Sequence, residues 1–94
     1  MNDNDLAIGS VVLSVQGRDK GMYFVVVGLD LKKGYVYLAD GGMRKLNAPK
    51  KKNVKHVNSS GTTLESIALK LKTNKKVFDS EVKSALRQFN QQNI

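Results

Sequence analysis

The stretch 11-VVLSVQGRDKGMYFVVVGL-29 decides the fold, because two apolar runs in it are joined by one polar turn bracketed by glycines. Residues 11–15 are rich in β-branched and apolar side chains, which favour a strand. Residues 22–29 are apolar apart from Gly28, as expected for a central strand that is buried on much of both faces. Together with the turn at residues 16–21, the two runs predict a β-hairpin.

The residues that follow predict three more short strands. Residues 35–39 come after a turn at residues 32–34 and predict a third strand. Residues 43–46 predict a short fourth strand, and residues 54–57 predict a fifth. The turn at residues 40–42 contains two glycines, which adopt positive φ at little cost. Short strands joined by tight turns are typical of a small antiparallel barrel.

After the fifth strand the pattern becomes helical. Thr62 and Glu65 have the spacing of a capping box, apolar residues follow at helical spacing, and Asn74 is the expected stop. A second helix is expected to begin at Asp79 or Ser80, either of which would cap it. Its apolar face is expected to consist of Val82, Ala85, Leu86 and Phe89.

These elements predict a mainly β fold with C-terminal helices, in which about five antiparallel strands precede two short α-helices. The length of 94 residues fits a single domain spanning residues 1–94. Within it we expect the barrel at residues 6–58 and a helical extension, packed on the barrel, at residues 59–94. Because so small a barrel has a marginal core, the helices are expected to cover its open ends. The alternative is that their apolar stripes dock a partner protein.

The formal net charge is +8, and most of it lies in the middle third of the chain. Residues 31–60 hold eight basic residues and one acidic residue, whereas residues 1–30 hold two basic and four acidic residues. A positive field of this kind speeds encounters with polyanions and makes their binding sensitive to salt. The charge therefore favours nucleic acid as the partner.

The positive charge is densest in residues 44–55, which we call the basic segment. It carries six cations and no acidic residue. The six cations are Arg44, Lys45, Lys50, Lys51, Lys52 and Lys55. Such a segment repels itself unless something anionic lies against it, which predicts phosphate contacts; the alternative is a solvated surface loop. Phosphate contacts fix position without reading sequence, so the basic segment predicts affinity rather than specificity.

Three positions beyond these six are candidate phosphate contacts. Arg18 and Lys20 lie in the turn bracketed by glycines, which allow a backbone to approach a ligand closely. The alternative is an ordinary hairpin turn with solvated side chains. His56 follows Lys55 and either donates a hydrogen bond to phosphate or is a structural residue at the end of a strand.

The aromatic residues are few. Tyr23, Tyr35 and Tyr37 either stack on bases or cover the barrel. The second interpretation is the one that we expect to hold. The three phenylalanines, Phe24, Phe78 and Phe89, are expected in the core.

Several classes of protein are disfavoured by the composition. The chain has no cysteine and one histidine, which predicts neither disulfides nor a metal site. No segment approaches the roughly 18 apolar residues of a spanning helix, and residues 1–5 are acidic and polar, unlike a signal peptide. The acids are scattered and no nucleophile–base pair stands out. We therefore expect a cytoplasmic protein that is not an enzyme, with no cofactor, no small-molecule substrate and no membrane partner.

Residues 9–57 resemble a KOW domain, the small SH3-like barrel of ribosomal and transcription-elongation proteins. The matching groups are Gly9-Ser10-Val11-Val12, Gly17-Arg18-Asp19-Lys20-Gly21, Phe24-Val25-Val26-Val27, Asp40-Gly41, Arg44-Lys45 and Asn53-Val54-Lys55-His56-Val57. After Gly21 this chain has Met22-Tyr23, where many KOW motifs continue with lysine and glycine. The resemblance covers about half of the chain, and the two predicted helices lie outside it.

The resemblance implies an SH3-like barrel that binds RNA through the loops between its strands. The last two groups, Arg44-Lys45 and Asn53-Val54-Lys55-His56-Val57, resemble KOW-type ribosomal proteins of the archaeal and eukaryotic large subunit and related small bacterial RNA-binding proteins. We therefore expect a non-catalytic protein of translation that binds ribosomal RNA and lies near ribosomal proteins. The expected RNA-binding residues are Arg18, Lys20, Arg44, Lys45, Lys50, Lys51, Lys52, Lys55 and His56. The alternatives are a protein-interaction adaptor and a transcription-elongation factor.

Overall fold

The structure, a computed structural model, describes residues 6–90, so both ends of the predicted domain lie outside the described residues. The elements in chain order are β1 (Ser10–Ser14), β2 (Tyr23–Asp30), β3 (Tyr35–Ala39), β4 (Lys50–Asn53), β5 (Val57–Thr63), α1 (Glu65–Lys72) and α2 (Asp79–Asn90). A single 3-10 turn, Val54–His56, joins β4 to β5. The predicted fold class is confirmed, because five antiparallel strands precede two short helices.

The five strands form one sheet with the order β4-β3-β2-β1-β5. In a flat sheet its two edges, β4 and β5, would lie about 19 Å apart. The 3-10 turn that joins them has only three residues, which rise about 6 Å along their axis. The sheet must therefore curl until its edges approach each other, which is compatible with a small barrel.

The predicted hairpin is confirmed, and its strands are buried on both faces. Val12 pairs with Phe24 and Val11 pairs with Val25. One core lies on the inner face of the sheet and contains Leu6, Val12, Phe24, Val26, Val36, Leu38, Val54 and Val57. The other lies between the sheet and the helices and contains Val11, Val25, Ala39, Ile67, Val82 and Leu86. The helices thus pack against a face of the sheet, rather than over the barrel ends where the sequence places them.

Two strands differ from their predicted positions. Residues 43–46 do not form a strand, because the Arg44 carbonyl accepts hydrogen bonds from the N–H groups of Asp40 and Gly41 and closes a turn. The fourth strand is β4, inside the basic segment. Residues 54–56 form the 3-10 turn, and β5 runs on to Thr63 because it pairs with β1 along its length. The strands therefore continue past the predicted barrel boundary at residue 58.

The helix ends follow the sequence only in part. The capping box is wrong, since Thr62 belongs to β5 and α1 begins after Leu64 without a side-chain cap. Asn74 is confirmed as a stop: its φ is 60°, and the next N–H, of Lys75, bonds to the Lys70 carbonyl at 2.8 Å. Helix α2 begins at Asp79 as predicted. Phe78 is 58% exposed, so its predicted place in the core is wrong.

Candidate nucleic-acid interface

The basic segment does not form one charged surface, because β4 divides its lysines between two faces. Lys50 lies opposite Leu38 and Lys52 lies opposite Val36, and both partners belong to the inner core. Lys51 lies opposite Tyr37 and points to the other face. The three consecutive lysines therefore cannot act together on one ligand.

Lys52 is part of the fold. Its side chain is 7% exposed, and its Nζ donates hydrogen bonds of 2.6 Å to Asp19 Oδ1 and to the Gln16 carbonyl. Ser14 Oγ donates to the same carboxylate oxygen at 2.7 Å. This ion pair connects β4 to the turn between β1 and β2. Because the ammonium is buried and has two partners, Lys52 is not accessible to phosphate, contrary to the expectation from the sequence.

The basic segment contains no acidic residue, and Asp19 of the β1–β2 turn supplies the carboxylate that pairs with its lysines. Burial on its own raises the pKa of this carboxyl, but the hydrogen bonds from Lys52 and Ser14, with the charges of Lys52 and Lys50, outweigh burial. The pKa of Asp19 therefore lies below its ordinary value, and the group is ionised at neutral pH. Its other oxygen, Oδ2, is buried without a hydrogen-bond partner and lies 3.9 Å from Lys50 Nζ.

Above this ion pair is a groove of about 410 Å³, which we call the turn groove. It lies between the β1–β2 turn and the loop at residues 40–49. The residues that line it are Arg18, Asp19, Met22, Phe24, Asp40, Met43, Arg44 and Lys50. Three of the predicted RNA-binding residues, Arg18, Arg44 and Lys50, thus meet here from the turn, the loop and β4.

The loop that carries Arg44 is held in one conformation. Asp40 Oδ1 accepts hydrogen bonds from the backbone N–H groups of Gly42 and Arg44, at 2.9 and 2.8 Å. Gly41 has a φ of 79°, and a Cβ there would collide with the carbonyl of Asp79 at the start of α2. Asp79 Oδ1 in turn accepts from the Leu46 N–H at 2.7 Å, so it ties the loop to the helix instead of capping α2.

The turn groove has an excess of positive charge. Its cations are Arg18, Arg44 and Lys50, of which the two arginines are exposed. Its carboxylates are those of Asp19 and Asp40. Lys52, which is not part of the lining, already pairs with Asp19. The negative charges of the groove therefore offset its three cations only in part. The groove is therefore electrostatically suited to an anion.

A second depression continues the basic surface onto α2. It has a volume of about 230 Å³ and shares Met22 and Asp40 with the turn groove. Lys83 and Arg87, one helical turn apart, lie on its α2 side. The sequence does not single out Arg87, Met22 or Met43 for this surface. The i, i+4 spacing of the two cations is the one signal that could have indicated a basic helix face.

The other predicted contacts lie outside the lining of the turn groove. Lys20 is exposed in the β1–β2 turn, and Lys45 is exposed with its Nζ 3.5 Å from the Gly41 carbonyl. Lys51 is exposed, and its Nζ lies 4.2 Å from the centre of the Tyr35 ring. The 3-10 turn carries the remaining two contacts, the exposed Lys55 and the half-buried His56.

Two general features of residues 6–90 bear on function. Within that range no group of three or more histidine, aspartate or glutamate side chains is placed to hold a metal ion. None of the helices in the described part of the chain has the length and apolar character needed to cross a membrane.

A scan of the sequence against models of protein families returns no match, and a search among curated proteins returns none either. The resemblance to KOW domains therefore stays a prediction that rests on the quoted residues. Four of the six groups contribute lining residues to the turn groove, and the groups at residues 9–12 and 53–57 do not. The residues contributed are Arg18, Asp19, Phe24, Asp40 and Arg44.

Proposed function

We propose that this is a non-catalytic RNA-binding protein that engages structured ribosomal RNA, or ribosomal particles, through the turn groove and the cations around it. One observation carries the proposal. Arg18 lies 26 positions before Arg44 and 32 before Lys50, yet the three side chains line one concave surface. Cations that converge in this way favour a polyanion, and arginine side chains suit phosphate because they donate bidentate hydrogen bonds.

RNA is the polyanion that fits the further features best. The resemblance to KOW domains implies RNA, and four of the six groups that carry it contribute lining residues to the turn groove. Lys20, Lys45, Lys55 and His56 supply peripheral contacts in this proposal, while Lys51 faces away from the groove. Contacts to phosphate position a protein on RNA, and the shape of the RNA then supplies selectivity. The protein needs no cofactor for this role, and it would act in the cytoplasm beside ribosomal proteins.

The test is cosedimentation with ribosomal particles in a sucrose gradient. Arg18→Glu/Arg44→Glu places two negative charges in the turn groove. The matched control is Lys32→Glu/Lys33→Glu, which makes the same change of net charge in the exposed β2–β3 turn. That turn lies at the other end of the eight-residue strand β2, about 26 Å away. We expect the groove variant to be absent from the ribosomal-particle fractions and the control variant to sediment with the particles like the wild type.

Three results would overturn the proposal. The first is a groove variant with a native circular dichroism spectrum that still cosediments like the wild type. The second is association that survives nuclease treatment, which would favour a protein-interaction adaptor. The third is cofractionation with RNA polymerase instead of ribosomes, which would favour a role in transcription elongation.

A further inference from the structure

We propose that the turn groove receives one unpaired nucleotide of the RNA. The base lies against Met22 and Met43, and the phosphates lie on Arg18, Arg44 and Lys50. This inference rests on the proposed function and names the form of RNA that the groove takes.

Two exposed apolar side chains lie beside the cations of the turn groove. Met43 is 89% exposed and Met22 is 38% exposed, although both line the same groove. Phe24, which also borders the groove, belongs to the inner core and is only 2% exposed, so the accessible apolar surface is that of the methionines. Methionine adapts its shape to a flat ring, and its sulfur makes favourable contacts with aromatic systems. The two methionines thus supply the apolar surface that a base needs.

Both methionines lie in turns whose backbone is held by hydrogen bonds. Met43 lies between Gly42 and Arg44, whose N–H groups are held by Asp40. The N–H of Met22 bonds to the Asp19 carbonyl at 3.0 Å. Because the backbone of both turns is already ordered, it adds little to the entropic cost of binding a ligand.

The turn groove combines an excess of positive charge with exposed apolar side chains. A ligand that satisfies this groove needs an anionic group for its cations and a flat apolar face for Met22 and Met43. An unpaired nucleotide has both, whereas a base in an A-form duplex has its faces stacked on its neighbours. The Asp40 carboxylate also lines the groove and can accept a hydrogen bond from an N–H donor on a base edge. Asp19 cannot do so, because its Oδ1 is already hydrogen-bonded and its Oδ2 is buried. An acidic peptide such as polyglutamate would match the cations but has no flat apolar face for Met22 and Met43.

The turn groove has the volume of a small-ligand site and continues into the neighbouring depression on α2. The groove of about 410 Å³ falls within the range of roughly 300 to 1,000 Å³ that holds small ligands. The neighbouring depression shares Met22 and Asp40 with it and carries Lys83 and Arg87. A chain that places one base in the turn groove can therefore lay its next phosphate against α2.

The test uses protein with labelled methionine methyl groups and NMR spectroscopy. The probes are a single-stranded RNA of about 12 nucleotides, the same strand paired with its complement, and polyglutamate. We expect the single strand to move the methyl signals of Met22 and Met43 upfield, as a stacked base does, and the duplex to move them much less.

Affinity measurements by fluorescence anisotropy give a second readout. Met43→Ala should weaken binding of the single strand about two- to tenfold and leave the duplex unaffected. The matched control is Leu31→Ala, an apolar side chain that is 45% exposed in the β2–β3 turn, which should change neither affinity. Because both side chains are exposed, neither substitution disturbs the core.

Equal affinity for strand and duplex, with unmoved methionine signals, overturns the inference but leaves the proposed function intact, since phosphate contacts alone suffice for it. Binding to neither RNA also overturns the inference, and cosedimentation decides separately on the proposed function. Polyglutamate that moves the two methyl signals as strongly as the single strand overturns it in favour of a protein partner.

Discussion

The Lys52–Asp19 ion pair and the turn groove above it share the β1–β2 turn and β4, yet the ion pair is buried and the groove is open. Lys52 is buried and has two hydrogen-bond acceptors at 2.6 Å. Lys50, two residues earlier on the same side of β4, is 30% exposed and lies 3.9 Å from the same carboxylate. Burial and partners thus separate a lysine that holds the fold from one that remains free to meet a ligand.

The comparison also explains why the count of charges in the basic segment misleads. No acid lies within residues 44–55, but Asp19, 33 positions before Lys52, reaches it through the β1–β2 turn. Strand alternation then turns Lys51 to the opposite face. Of the six cations of the basic segment, only Arg44 and Lys50 line the turn groove.

The largest expected effect is on stability. Lys52→Met should lower the free energy of unfolding by about 2–4 kcal/mol, because it leaves the buried Asp19 without its main partner. Lys50→Met should lower it by about 0–1 kcal/mol, since that lysine is partly exposed and its ion pair is long. Urea denaturation at pH 7, followed by circular dichroism, measures both. Equal losses would show that the two lysines have the same role.

A smaller effect is expected on the pH dependence of stability. The lowered pKa of Asp19 means that its contribution is complete above about pH 4 and is lost as pH falls through the folded-state pKa. Lys52→Met removes the hydrogen bond and the charge of Lys52 but keeps those of Ser14 and Lys50, so the pKa of Asp19 is higher in the variant than in the wild type. The difference in unfolding free energy between wild type and Lys52→Met should therefore shrink as pH falls from 7 to about 3. A constant difference would mean that the ion pair is not its source. Glu81, whose pKa is lowered mainly by a hydrogen bond from Lys70, is present in both proteins and cancels.

The sequence is sufficient for the elements that have apolar patterns. The hairpin of β1 and β2 follows from two apolar runs around one turn, and α2 follows from the helical spacing of Val82 and Leu86, both of which are buried. Strand β4 has no such pattern, since it reads Lys-Lys-Lys-Asn. It forms because its backbone pairs with β3 and because the stem of Lys52 packs beside Val36, neither of which is visible in the local sequence.

The candidate site is less predictable for the same reason. Arg18, Arg44 and Lys50 are recognisable as cations, but their convergence depends on the pairing of β3 with β4 and on the turn that Asp40 closes. Met22 and Met43 stand in apolar or glycine-rich stretches that suggest core or turn. Only the folded chain shows that both are exposed beside the same cations.

The proposed interface requires that Arg44 and Lys50, which line the turn groove, contact phosphate and that cations at the far end of β2 do not. The most direct measurement is the slope of log affinity against log salt concentration for a single-stranded RNA of about 12 nucleotides. Arg44→Ala/Lys50→Ala should reduce the magnitude of the slope by about 1.4, as expected for the loss of two phosphate contacts. Lys32→Ala/Lys33→Ala removes the same charge from the exposed β2–β3 turn and should leave the slope close to that of the wild type. Equal reductions in the two variants would contradict the claim.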